Sequence, residues 1–162
     1  MKKVILLLLF TTIVFGQKNA INKIDSVAYY IKLADFYKQK NNYKLSLSNA
    51  NNALEFASKN KDTKNKALAY ISLGTSYFDL KKINDAITAF SKSIKELSTL
   101  PISSDLALSY YKLGMCHMSL EEYVRAEAYI NKSQEIYSAL KIENQELMRR
   151  KYIILLVLCF FV

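Results

Sequence analysis

The stretch "ALAYISLGTSYFDL" (Ala67 to Leu80) returns forty residues later as "ALSYYKLGMCHMSL" (Ala107 to Leu120). The two agree at Ala67 and Ala107, Leu68 and Leu108, Tyr70 and Tyr110, Leu73 and Leu113, Gly74 and Gly114, and Leu80 and Leu120. Agreement continues through Ala86 and Ala126, Lys92 and Lys132, and Ser93 and Ser133. One more step of forty, toward the N-terminus, finds a fainter copy in which Tyr30, Leu33, Ala34 and Tyr37 stand in register with Tyr70, Leu73, Gly74 and Tyr77. Self-similarity at one fixed spacing is the mark of a repeat architecture.

Within a unit the apolar residues follow helical spacing. Tyr70, Leu73, Tyr77 and Leu80 form one stripe; Ile83, Ala86, Ile87, Phe90 and Ile94 form a second. The break between them, "KKIND", has room for a tight connection alone, so the two helices are antiparallel neighbours. Three Gly and one Pro in 162 residues argue against turn-rich β-sandwiches and glycine-dependent nucleotide folds. Gly74, Gly114 and Ala34 fall in mid-helix, where Gly costs about 1 kcal/mol against Ala, so a neighbouring helix is expected to approach closely there.

Tyr70-x-x-Leu73-Gly74-x-x-Tyr77 followed by Ala86-x-x-x-Phe90 resembles the tetratricopeptide repeat, and Tyr110-x-x-Leu113-Gly114 with Ala126 follows the same pattern. His117 and Ile130 depart from it in the third unit, and Ser46 and Ala50 in the first. The period of forty exceeds the family's usual length of about 34, with the surplus expected in the connections "SKNKDTK" and "LSTLPISSD". Such connections are similar to those of repeat arrays in bacterial regulatory proteins. The resemblance implies an all-α, right-handed solenoid of about three hairpins at 27–60, 67–100 and 107–140. A capping or linker helix is expected at 141–151. It further implies a concave, partner-binding face formed by the first helix of each unit. The residues expected on it are Ile31, Asp35 and Lys38, then Leu68, Ile71, Thr75 and Phe78, then Leu108, Tyr111, Met115 and Met118. Ile31, Asp35 and Ser72 stand where some members place the Lys and Asn residues that grip a C-terminal carboxylate. The mostly apolar face suits a protein or peptide presenting an apolar helical or extended segment. The alternative occupant is the chain's own next helix, around 141–150.

The two ends are apolar. "MKKVILLLLFTTIVFG" pairs Lys2 and Lys3 with a short apolar run and the small Gly16, the order of an export signal at 1–16, followed by a lead-in at 17–26. "YIILLVLCFFV" (152–162) is shorter than the roughly 20 residues of a spanning helix and reads as part of one. Export signal, repeats, linker and span are together similar to membrane-tethered bacterial regulators. The chain is therefore expected outside the inner membrane, periplasmic or on its outer face, held there through the C-terminal segment. The alternative is an exported structural or assembly adaptor, associated with the membrane through its apolar C-terminus and without an output domain. A homodimer is compatible with either.

The formal charge of +9 comes from 23 basic and 14 acidic residues, and falls to +7 once Lys2 and Lys3 are removed. Basic residues are interspersed with acidic ones and no nucleic-acid partner is expected. One histidine, no Gly-rich phosphate loop, no Cys-x-x-Cys and no Gly-x-Ser-x-Gly leave no catalytic, cofactor or metal constellation, so no enzyme is expected. His117 fills the slot of Tyr37 and Tyr77 and reads as a buried structural residue. Cys116 and Cys159 are not expected to pair. Ser103, Ser104 and Asp105 after Pro101 can cap a helix, and Glu121 and Arg125 are spaced as an i,i+4 pair.

Overall fold

The computed structural model describes residues 26–141 together with 153 and 154. Between residues 26 and 141 six helices follow in order: α1 over residues 26–39, α2 Tyr43–Lys59, α3 Thr63–Asp79, α4 Ile83–Leu97, α5 Ser104–Ser119 and α6 Tyr123–Ala139. They form three hairpins, and no strand occurs among the described residues. The export signal at 1–16, the lead-in up to residue 25, the linker beyond Lys141 and the apolar segment other than Ile153 and Ile154 lie outside the described residues.

The connections keep a beat of twenty. Asn41, Lys61, Lys81, Glu121 and Lys141 all adopt positive φ, between 53° and 61°. This left-handed residue turns the chain back on itself just past each helix end. Beyond it, the N–H groups of Asn42, Asp62, Lys82 and Glu122 reach back to the carbonyls of Tyr37, Ala57, Tyr77 and His117 at 2.9–3.2 Å. The same four residues are the N-caps or N-terminal neighbours of the next helix. The Asn42 and Asp62 side chains accept from the Leu45 and Asn65 N–H groups at 3.2 and 3.0 Å. Position 101, where the beat is missed, is Pro101, whose ring fixes φ negative. There α4 stops at Leu97, and the chain runs through to Ser103, whose Oγ caps α5 by accepting from the Leu106 N–H at 3.4 Å.

Two expectations need correction. The surplus over the family's usual repeat length does not lie in a loop at "SKNKDTK": α2 runs to Lys59 and α3 begins at Thr63, so most of that stretch is helical. It contains no helix breaker, and a left-handed Lys61 with a capping Asp62 is all the turn requires. Second, Glu121 does not pair with Arg125. Glu121 is the left-handed turn residue, outside α6, and Arg125 Nη1 instead reaches Glu122 Oε2 at 3.1 Å.

Small residues set how closely the helices approach. An added Cβ on Gly74 would lie 2.6 Å from the ring of Phe90, and one on Gly114 would lie 2.7 Å from Ile130 Cγ1 and 3.1 Å from the Ala126 carbonyl oxygen. The mid-helix glycines therefore make room for the large second-helix residue of their own hairpin. In the first hairpin the corresponding pair is Ala34 and Ala50, both buried in one cluster with Leu73 and Ala89. Between hairpins, buried hydroxyls join in a relay. Ser76 Oγ donates to the Ser72 carbonyl and accepts from Ser46 at 2.8 Å; Ser109 Oγ donates to the Asp105 carbonyl and accepts from Ser93 at 3.0 Å. Each hydroxyl has one proton, so those donations fix the direction of the inter-hairpin bonds. The repeated lysine also has a role: Lys92 lies over the Tyr70 ring and Lys132 over the Tyr110 ring, at 5.7 and 5.3 Å.

Candidate functional site

Besides packing on its sequence neighbours, α3 touches α5, the first helix of the next hairpin. First helices are thus drawn together on one side of the stack, which makes that side concave. The electrostatics agree. Asp79 on α3 lies within electrostatic reach of Lys38 on α1 and Lys112 on α5.

None of the eleven residues expected on this strip is buried: Asp35 is exposed, and the other ten are half-buried. Thr75, Phe78, Tyr111 and Met115 come together, with Asp79 and Lys112, around a recess of ≈ 350 Å³ floored by Phe90. Thr75 Oγ1 donates to the Ile71 carbonyl at 2.9 Å, so its hydroxyl proton is engaged within α3. Lys38 holds Asp35 at 3.0 Å at the α1 end. Ile31, Ile71, Phe78, Tyr111 and Met118 each lend one side to a buried cluster, which leaves their other sides for the strip. Leu68 and Leu108 lie toward the N-terminal ends of α3 and α5, outside the recess.

Asp79, Lys112 and Phe90 escaped the sequence reading. Phe90 counted as core, and it is fully buried while still forming the floor. Asp79 lies one helical turn past Thr75, and Lys112 adjoins Tyr111, so extending the stripe by i+4 would have reached both. Burial pushes the Asp79 carboxyl above its ordinary range, opposed by Lys38, Lys112 and Lys81. A half-buried acid and a lysine on opposite walls give an otherwise apolar recess two polar handles.

His117 stands apart from this strip and holds the α5–α6 turn together. It is buried, stacked on Tyr129 at 5.2 Å, with Nδ1 2.6 Å from Glu122 Oε2. A carboxylate only accepts, so Nδ1 carries the proton. That hydrogen bond, followed by the one from Arg125, holds Glu122 below the usual carboxylate range. It also takes the Glu122 side chain away from α6, which consequently begins without a side-chain cap. Cys116 is buried and desolvation lifts its thiol to about 12. Among the described residues no three His, Cys, Asp or Glu side chains group as a metal site.

The family model of the tetratricopeptide repeat matches residues 67–96 and 107–140. No curated protein matches the sequence. Among solved structures, the chain is similar to the TPR domain of Arabidopsis FLU, with 18% identity and a TM-score of 0.67 over 72% of this chain and 98% of that one. It is also similar to the apo form of RapI, with 20% identity and a TM-score of 0.69 over 78% of this chain. A third likeness is to a Rap protein complexed with competence and sporulation factor, with 21% identity and a TM-score of 0.68 over 74% of this chain. The chain spans 46% of RapI and 33% of that Rap protein. At these identities the likeness is one of fold. Residues 67–96 and 107–140 are tetratricopeptide repeats, with a hairpin of like construction, α1–α2, in front of them.

Proposed function

We propose that the chain is a non-catalytic scaffold that holds an apolar segment of a protein or peptide against the concave strip of α1, α3 and α5. The observation that carries this reading is the recess between α3 and α5. Thr75, Phe78, Tyr111 and Met115 line it with half-exposed apolar surface, and Asp79 and Lys112 can orient a backbone or a charged end. Nothing in the strip supplies a nucleophile beside a base, so binding is the chemistry it supports. The solved Rap protein complexed with competence and sporulation factor supports the view that this fold can hold a partner.

The test is selection from a displayed library of random peptides. Enriched sequences should carry apolar residues at helical or alternating spacing. Met115→Arg, which fills the recess, should weaken their binding at least ~tenfold while leaving helicity unchanged. Failure to enrich, or equal binding by the variant, refutes the reading.

We place this scaffold outside the inner membrane, on the strength of the export-type order of residues 1–16. Alkaline phosphatase fused after Lys141 should be active and should lose activity when Leu6 to Leu9 are replaced by Asn. The finer reading, the sensor part of a membrane-tethered regulator, rests on the apolar character of 152–162. The burial of Ile154 within the array weighs against a span that starts there, and equally against the lipid-associated tail of the adaptor reading.

A further inference from the structure

The surroundings of Ile154 reproduce those of Leu113. Leu113, 3% exposed, seats α5 on the preceding hairpin in a cluster with Ala86 and Phe90 of α4, flanked by Ile71 and Phe78 of α3. Ile154, 1% exposed, lies in a cluster with Ala126 and Ile130 of α6, flanked by Tyr111 and Met118 of α5. Ala126, Ile130, Tyr111 and Met118 are the counterparts, forty residues on, of Ala86, Phe90, Ile71 and Phe78, whereas Ala107 and Tyr137, also in the Ile154 cluster, have their counterparts Ala67 and Leu97 in a separate cluster. The strict counterpart of Leu113 is Ile153, which is 45% exposed, so the register is displaced by one residue.

The chain leaves α6 as it leaves α2. Lys141 has φ 56° and its N–H meets the Ser138 carbonyl at 3.0 Å; Lys61 has φ 53° and its N–H meets the Ser58 carbonyl at 3.1 Å. After Lys61 the chain folds back as α3 and delivers Leu73 against Ala50 twelve residues later. Ile154 meets Ile130 thirteen residues after Lys141, which accounts for the displacement by one.

We propose that the apolar segment carrying Ile153 and Ile154 covers the exposed side of the α5–α6 hairpin, with Ile154 as its anchor, and is not committed to a membrane span. A stack of hairpins leaves the apolar face of its last one open, and that face must be covered by something. The occupant is this chain itself, because Ile154 already sits among Ala126 and Ile130, the counterparts of the Ala86 and Phe90 that surround Leu113 one unit earlier. The strongly apolar character of the segment then reflects burial on the array. One consequence for the concave strip is that Tyr111 and Met118 present one side to the cluster that holds Ile154, as Ile71 and Phe78 do to the cluster that holds Leu113. The inference stands apart from the ligand reading, since its test involves no ligand.

The test compares the full chain with Ile154→Asp and Ile153→Asp by hydrogen–deuterium exchange, at high and low chain concentration and with and without phosphatidylethanolamine–phosphatidylglycerol vesicles. Ile154→Asp should accelerate exchange of the α6 amides from Ala126 to Tyr137 at least ~tenfold, whether by local opening or by unfolding of the whole array. Ile153→Asp should leave them at the wild-type rate, and neither dilution nor vesicles should change the wild type. An equal response of the two variants, faster or unchanged, overturns the proposal. Loss of α6 protection with vesicles would assign the segment to the bilayer, and loss on dilution would assign the contact to a second copy; either also overturns it.

Discussion

Replacing Gly74 by Ala sets two effects of known sign against each other. Ala is the better helix former by about 1 kcal/mol, so on propensity alone the variant is stabilised. Against this, the new Cβ would lie 2.6 Å from Phe90 Cε1 and 2.8 Å from both Cδ1 and Cζ, where ordinary contacts begin at 3.4 Å. The ring would have to retreat by most of an ångström, and it is fully buried among Ala86, Leu113 and Cys116. Overpacking of this kind costs about 1–3 kcal/mol, so the variant should be destabilised by about 1 kcal/mol net. Phe90→Leu costs stability by itself but opens the space, and in that background Gly74→Ala should become neutral or stabilising. The coupling in the double-mutant cycle should be about 1–2 kcal/mol, toward mutual relief. The first hairpin already pairs Ala34 with Ala50, the small-against-small solution of the same slot. Urea unfolding of the four proteins, followed by far-UV circular dichroism, gives the cycle. An additive cycle, or a Gly74→Ala single variant more stable than wild type, refutes the close-approach argument.

Other predictions are briefer. Lys81→Gly should raise stability by about 0.5 kcal/mol, because an L-residue pays about 1–2 kcal/mol to sit at positive φ and Gly gives back part of that through its looser unfolded chain; lower stability in urea would contradict it. Glu122 is held below its ordinary range in the folded chain, so its contribution is present above the unfolded carboxylate value and is lost as pH falls through the folded one. The stability gap between wild type and Glu122→Gln should therefore narrow as pH drops from about 6 to about 3, and a gap that widens would reverse the sign argued here. In a Cys159→Ser background, Cys116 should react with a thiol reagent at least ~100-fold more slowly in the native state than in urea, since its thiol is buried and lifted to about 12; equal rates would mean that the α4–α5 core is open.

Most of the fold was legible because it is written as one period. Matching Tyr70, Leu73 and Gly74 to Tyr110, Leu113 and Gly114 located the hairpins, and the glycines revealed the close approach before any distance was known. What stayed hidden was the nature of the turns. Lys61, Lys81 and Glu121 take a conformation in which Gly or Asn is the usual signal, so a charged stretch such as "SKNKDTK" looks like a long loop although only Asn60, Lys61 and Asp62 lie outside the helices. The same blind spot produced the Glu121–Arg125 pair, since sequence spacing alone does not reveal that Glu121 has left the helix. On the concave strip, the family resemblance pointed to Thr75, Phe78, Tyr111 and Met115 but not to Asp79 and Lys112, because charged residues next to an apolar stripe read as solvent-facing. The position of Ile154 was legible only in part. Counting forty from Leu113 reaches Ile153, and the one-residue displacement comes from a return of thirteen residues where the earlier unit uses twelve.

The measurement that bears most directly on the central claim is site-specific photocrosslinking in the cell that makes the chain, with a benzophenone amino acid placed at Met115 in one variant and at Val124 in another. Met115 lines the recess between α3 and α5, whereas Val124, 73% exposed, is the most exposed large apolar residue on the rest of the described surface and the natural competitor. The scaffold account predicts a discrete crosslinked partner from position 115 that disappears with Thr75→Arg, and none from position 124. A partner captured at 124 and absent at 115 would contradict it and move the binding surface to the outer side of α6.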